Sequence, residues 1–96
     1  MFHTRDIVTA IEIGTSKINV LVGEAGPDGR VNVVGRGSAP SAGSVVKGEI
    51  EDMDLAFEQL GNAIADAESA SDGLLNSTKV VVVAVTGCRM EAFQGI

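Results

Sequence analysis

Between Glu12 and Lys17 the chain reads Glu-Ile-Gly-Thr-Ser-Lys, with an apolar stretch on either side. These residue types suit polyphosphate chemistry. Gly14 has no side chain, so a ligand can approach the backbone closely. Successive N–H groups around Gly14, Thr15 and Ser16 can converge on phosphate oxygens, as in an anion nest. Thr15 and Ser16 add hydroxyl donors, and Lys17 adds a positive charge. Glu12 would repel bare phosphate, but it suits a site that holds Mg²⁺ and its waters. The same residues also fit a plain turn with a Glu12–Lys17 surface pair, and their spacing alone leaves both readings open.

The flanking elements decide where such a turn would sit. Ile7 to Ile13 alternates as a strand, apolar on both faces up to Glu12, and Ile18 to Val22 is a second strand. Four residues, Gly14 to Lys17, join them, so a tight hairpin is expected. Gly26-Pro27-Asp28-Gly29 is the clearest turn signal, because proline presets φ, aspartate caps its own backbone and glycine accepts positive φ. A third strand follows from Val31 to Val34, with Gly37 as its outer limit, completing an antiparallel meander. "GRGSAPSAGSVVKG" reads as a loop or irregular crossing. Its Gly35 and Gly37 do not make a dinucleotide fingerprint, since position 40 is proline and no helix begins there.

Asp54 to about Ala70 has helical periodicity. Phe57, Leu60, Ile64 and Ala67 form the expected buried stripe, widened by Met53, Ala56 and Ala63. Asp52 or Asp54 is the expected N-cap, Ser71-Asp72-Gly73 the stop, and Gly61 a point of close approach to the sheet. "KVVVVAVT", Lys79 to Thr86, reads as a central strand covered on both faces. A weakly strand-like tail follows. The fold class is therefore α/β: a three-stranded antiparallel meander, one helix, then a further central strand.

Bulk properties narrow the function. The chain has 96 residues, 45% of them apolar and 21% charged, which suits one small folded unit. Net charge is −6 with no basic stripe or aromatic platform, which argues against nucleic acid as a partner. The single Cys88 excludes an internal disulfide framework, and no run of 18 apolar residues offers a membrane span. His3 stands alone near a terminus and fits a solvated side chain. Cys88 fits a small buried hydrophobe. The acids from Glu49 to Glu58 fit a solvated helix start and lack calcium-loop spacing. Met90 and Phe93 fit an exposed edge.

"TAIEIGTSKINVLVGE", followed by "PDGRVNVVGRGSAPSAGSVVKGEIEDMD", resembles the amino-terminal part of the FtsA family of bacterial cell-division proteins. That family is a branch of the actin–Hsp70–sugar kinase superfamily. The resemblance runs from Asp6 to Ile96, and the Lys47-Gly48 turn before an acidic helix start is its division-protein mark. It implies an incomplete actin-like (ribonuclease H-like) ATPase subdomain over residues 1–86, and the start of a small inserted subdomain over residues 87–96. It further implies ATP and Mg as cofactors. Gly14, Thr15, Ser16 and Lys17 would contact phosphate, and Glu12 would reach the magnesium through water. The superfamily usually has aspartate where this chain has Glu12. No catalytic residue is implied within the segment.

The family's role would be an ATP-binding scaffold that helps anchor the division polymer to the cytoplasmic membrane and recruits later division proteins. Its partners would be the division GTPase FtsZ, further copies of itself, and later division proteins met through the inserted subdomain. Its place would be the inner face of the membrane at the division site, reached through a region outside this segment. Any ATPase would be weak and would belong to the longer protein. A pilus-assembly or shape-determining ATPase, or a small-molecule kinase, would share the same hairpin.

Overall fold

The computed structural model describes residues 6–85, and the backbone of residues 92–95. Strands β1 (Asp6–Ile13), β2 (Lys17–Ala25) and β3 (Val31–Pro40) form the antiparallel meander. After a short hairpin, β4 (Val45–Val46) with β5 (Glu49–Ile50), comes the helix α1 (Met53–Ala70). A 3-10 turn (Leu74–Ser77) leads into β6 (Thr78–Val85), which runs parallel to β1, and β7 (Ala92–Gly95) pairs antiparallel to β6. The sheet order is β3-β2-β1-β6-β7. The meander, helix and further central strand match an actin-like subdomain fragment.

Register sets the two faces of the sheet. Ile13 lies opposite Ile18, Ile11 opposite Val20 and Thr9 opposite Val22, so these residues share one face. Ile18, Val20 and Val22 are fully buried there, under α1. Val8, Ala10, Glu12, Asn19 and Leu21 take the other face, joined by Val80, Val82 and Ala84 of β6. Among the described residues no helix lies on that second face.

The turns follow their sequence signals. In the β2–β3 connection the Gly29 N–H donates to the Gly26 carbonyl at 3.1 Å, and Asp28 Oδ1 accepts from the Arg30 N–H at 3.0 Å. Gly29 has φ 82°, the left-handed region that glycine tolerates. Lys47 and Gly48 turn the β4–β5 hairpin with φ of 52° and 78°. Asp52 is the N-cap of α1, its carboxylate accepting from the Leu55 N–H at 3.0 Å. Asp52→Ala should therefore cost about 1 kcal/mol of stability, read as a lower urea midpoint at unchanged slope. An unchanged midpoint would mean the cap contributes nothing.

Four expectations are corrected. "GRGSAP" is strand, not loop: β3 continues to Pro40, paired with Lys17 of β2. The buried face of α1 runs through Ala56, Gln59, Ala63 and Ala67, with Leu60 and Ile64 half-buried at its flanks. Phe57 is 64% exposed and Met53 is exposed as well. Gly61 faces open space; the close approach is made by Gly35 and Gly37 of β3. A β-carbon on Gly37 would lie 2.3 Å from the Ala67 nitrogen and 2.4 Å from the Ala63 carbonyl oxygen. Glycine on the strand and alanine on the helix let the two backbones touch, and a face led by Phe57 could not. Finally, Val80 to Val85 are only half-buried, because α1 packs over β3 and β2. Cys88, Met90 and His3 lie outside the described residues, as does the side chain of Phe93.

Candidate functional site: the first hairpin tip

The β1–β2 hairpin is shorter than its four-residue sequence reading, since Lys17 already pairs in the sheet as the first residue of β2. Gly14, Thr15 and Ser16 make the tip. The Gly14 N–H donates to the Lys17 carbonyl at 3.0 Å and closes the hairpin. That amide is therefore engaged within the protein. The Thr15 and Ser16 amides lie outside the strands and have no hydrogen-bond partner among the described residues. Both residues are exposed, and so is Lys17. The free donors at the tip are thus two successive amides, two hydroxyls and one ammonium.

Two of the tip's three carbonyls, those of Gly14 and Ser16, are held by the protein. Ser41, just past β3, donates its hydroxyl to the Gly14 carbonyl at 2.5 Å and its N–H to the Ser16 carbonyl at 3.1 Å. Ser41 is fully buried. Behind it lies a polar hub. The Ser44 hydroxyl sits between the Ser41 carbonyl, at 3.1 Å, and Gln59 Oε1, with which it makes a close contact. Gln59 Nε2 donates to the Ala42 carbonyl at 3.1 Å. The Ser44 carbonyl accepts from the Glu51 N–H at 2.7 Å, just before the helix. Hydrogen bonds thus run from the hairpin tip through the loop to the middle of α1.

Glu12 and Lys17 project from the bare face of the sheet, as their pairing parity with Asn19 requires. Glu12 is exposed, and its Oε1 accepts from Asn19 Nδ2 at 3.0 Å across the β1–β2 pair. Its partner is Asn19, the residue directly opposite it in the hairpin. Glu12, Lys17, Asn19, Arg36 and Ser38 line a groove of about 690 Å³ along that face. Asp66 reaches the groove rim, where its carboxylate accepts from the Ser38 N–H at 3.2 Å and covers the edge of β3. Among the described residues no three acidic, histidine or cysteine side chains cluster to hold a metal. Glu12 is the carboxylate nearest the tip in sequence, and one carboxylate suits an ion that keeps most of its water.

The five sequence-predicted residues are thus divided. Gly14, Thr15 and Ser16 form the tip, and Glu12 and Lys17 stand beside it on the groove side. Ser41, Ser44 and Gln59 were not singled out from sequence. Gln59 carried a signal: it is a polar residue falling in step with Ala56, Ala63 and Ala67 on one helical face.

No family model matches the chain. Curated relatives do. FtsA of Escherichia coli (strain K12) is 41% identical over 83 residues, which is 86% of this chain and 19% of that protein. FtsA of Neisseria meningitidis serogroup B is 37% identical over 65 residues, 68% of this chain and 16% of the relative. FtsA of Pseudomonas aeruginosa is 34% identical over 74 residues, 77% of this chain and 18% of the relative. The chain thus spans about a fifth of the length of the curated relatives it matches. Among solved structures, a diol dehydratase-reactivating factor in nucleotide-free form overlays 81% of this chain and 12% of its own, with a TM-score of 0.61. At 17% identity that likeness speaks to the fold alone. On sequence and fold together, the chain belongs with the FtsA family of bacterial cell-division proteins, as a counterpart of their amino-terminal region.

Proposed function

We propose that this segment is the first phosphate-binding element of an ATP-dependent, actin-like cell-division scaffold. The observation that carries the reading is the hairpin tip, where two successive amides of exposed residues are left free while the Gly14 and Ser16 carbonyls are held by Ser41. Such a tip fits the terminal phosphates of a nucleotide. Thr15 and Ser16 supply amide and hydroxyl donors, Gly14 supplies the room, and Lys17 supplies charge. Glu12, held by Asn19, accepts hydrogen bonds from magnesium-bound water. ATP with Mg²⁺ is the ligand this donor set suits, and the 41% identity to a cell-division protein supports a division scaffold over a pilus, shape-determining or kinase relative.

In the longer protein the same reading gives a weak ATPase that acts as a switch. It would tether the FtsZ polymer at the inner face of the membrane, assemble with its own copies, and recruit later division proteins. Residues 87–96 would open the inserted subdomain that serves the last two tasks. This segment alone supplies one side of a phosphate clamp, and hydrolysis needs water, metal and phosphate positioned at once. The chain by itself should therefore bind Mg-ATP weakly, above the micromolar range, and should not hydrolyse it.

Amide chemical shifts followed during titration with Mg-ATP test this. The Thr15 and Ser16 amides should move most, and Gly14→Val should abolish the response, since a branched side chain at the tip blocks phosphate approach. Gly14 has no left-handed φ, so valine there tests access rather than backbone strain. Tip amides that ignore Mg-ATP in the unsubstituted chain would overturn the reading.

A further inference from the structure

We infer that Ser41 is a positioning residue for the hairpin tip, acting on phosphate through the tip backbone without touching the ligand itself. This rests on the nucleotide reading above and adds a residue to it. Four observations lead here. Ser41 is fully buried, yet it contributes two donors to one turn. Its hydroxyl meets the Gly14 carbonyl at 2.5 Å and its N–H meets the Ser16 carbonyl at 3.1 Å. The Gly14 N–H is closed onto Lys17, so the peptide groups on both sides of Thr15 and Ser16 are fixed. The two amides between these anchors are the ones left free.

The physical consequence is preorganisation. A peptide unit is planar, so pinning a carbonyl inward turns the N–H of the next residue the opposite way. Holding the Gly14 carbonyl inward therefore aims the Thr15 amide outward. Holding the Ser16 carbonyl likewise fixes the peptide that follows it. An unclamped three-residue tip would need to freeze these torsions when phosphate arrives, and affinity would fall by that ordering cost. Clamping also keeps two carbonyl dipoles from facing an anion. The clamp is itself anchored. The Ser41 carbonyl accepts from the Ser44 N–H at 3.1 Å and from the Val45 N–H at 3.3 Å, and Ser44 leans on Gln59 of α1. Ser41 therefore transmits the position of the helix to the tip. It touches no ligand, and its effect should appear as tip order and affinity.

Ser41→Ala removes the hydroxyl and keeps the backbone N–H. Ser44→Ala is the comparison, because it disturbs the same loop without touching the tip. In the ligand-free chain, amide relaxation should show Thr15 and Ser16 gaining fast motion in Ser41→Ala, and much less in Ser44→Ala, which loosens the anchor but keeps both bonds from Ser41 to the tip. Titration with Mg-ATP, and separately with Mg-tripolyphosphate, should show binding weakened about five- to tenfold in Ser41→Ala, by the same factor for both ligands because the tip meets only phosphate. Slow-exchanging amides of Val20 and Val22 should keep their protection in that variant. Three results would overturn the inference: tip order unchanged in Ser41→Ala, equal loosening in both variants, or loss of Val20 and Val22 protection along with the tip. The nucleotide reading fails separately, if the unsubstituted tip ignores both ligands, and the ligand-free relaxation still judges the clamp in that case.

Discussion

Gly37→Ala should destabilise the chain by roughly 3 kcal/mol, the upper part of the range for overpacking a tight contact, and lower the Tm by more than about 10 °C for a domain of this size. Only one methyl group is added, but it has nowhere to go. Its carbon would sit 2.3 Å from the Ala67 nitrogen and 2.4 Å from the Ala63 carbonyl oxygen, both backbone atoms of α1. Flexible side chains can swing aside, but helix backbone cannot, so the helix must lift from β3 along its length. Lifting it would also open the contacts of Val20 and Ile18 beneath it, which are fully buried. The same substitution at Gly61 should go the other way. A β-carbon there meets nothing within 4 Å, and alanine in an exposed helix interior gains about 1 kcal/mol over glycine. Urea unfolding of the two variants decides the matter. If both are neutral, or both stabilising, the helix does not lie against β3 as described.

That pair of glycines also marks what the sequence could reveal. The meander was legible because Ile7, Thr9, Ile11 and Ile13 alternate, and because Gly26-Pro27-Asp28-Gly29 has one natural geometry. The caps of α1 were legible because Asp52 precedes the periodic stretch and Gly73 follows it, with φ 81°. The face of α1 was less so. Periodicity ranks residues by hydropathy, so Phe57 led the expected stripe. The actual face was chosen by distance, since around Gly37 the helix comes too close to the strand for any side chain larger than alanine at positions 63 and 67. Nothing local to α1 encodes that; Gly35 and Gly37 do, thirty residues earlier on another element, and their glycines read as loop when taken alone. At the candidate site the tip residues were legible by type, since Gly14, Thr15 and Ser16 stand between two clear strands. The division of their donors was not. Which tip carbonyls are held by the protein depends on Ser41, which reaches the tip only once β3 has paired with β2.

Gln59→Leu should cost about 2 kcal/mol, the usual cost of leaving a buried polar group without its partner. Leucine nearly matches glutamine in volume, so packing is largely kept and the loss is polar. The Ala42 carbonyl would lose the Nε2 donor now 3.1 Å away, and the Ser44 hydroxyl would lose its contact with Oε1. Gln59→Glu separates hydrogen bonding from shape. An ionised carboxylate there still accepts from Ser44 but places a second oxygen against the Ala42 carbonyl, and it sits on the buried face of α1. A protonated carboxyl can donate to that carbonyl and restore the hub. Burial without a cation raises the folded-state pKa of the introduced group above its unfolded value of about 4.3. The folded state then holds the proton where the unfolded state has released it, so stability relative to the unsubstituted chain falls as pH rises above that value. The deficit of Gln59→Glu should therefore be small near pH 3, well below the unfolded value of about 4.3, where both states are protonated, and approach or exceed that of Gln59→Leu at pH 7. Unfolding measured at both pH values, each referred to the unsubstituted chain at the same pH, reads this directly. A deficit independent of pH would mean that Gln59 acts by filling space, and the hydrogen-bonded route from α1 to the hairpin tip would lose its central link.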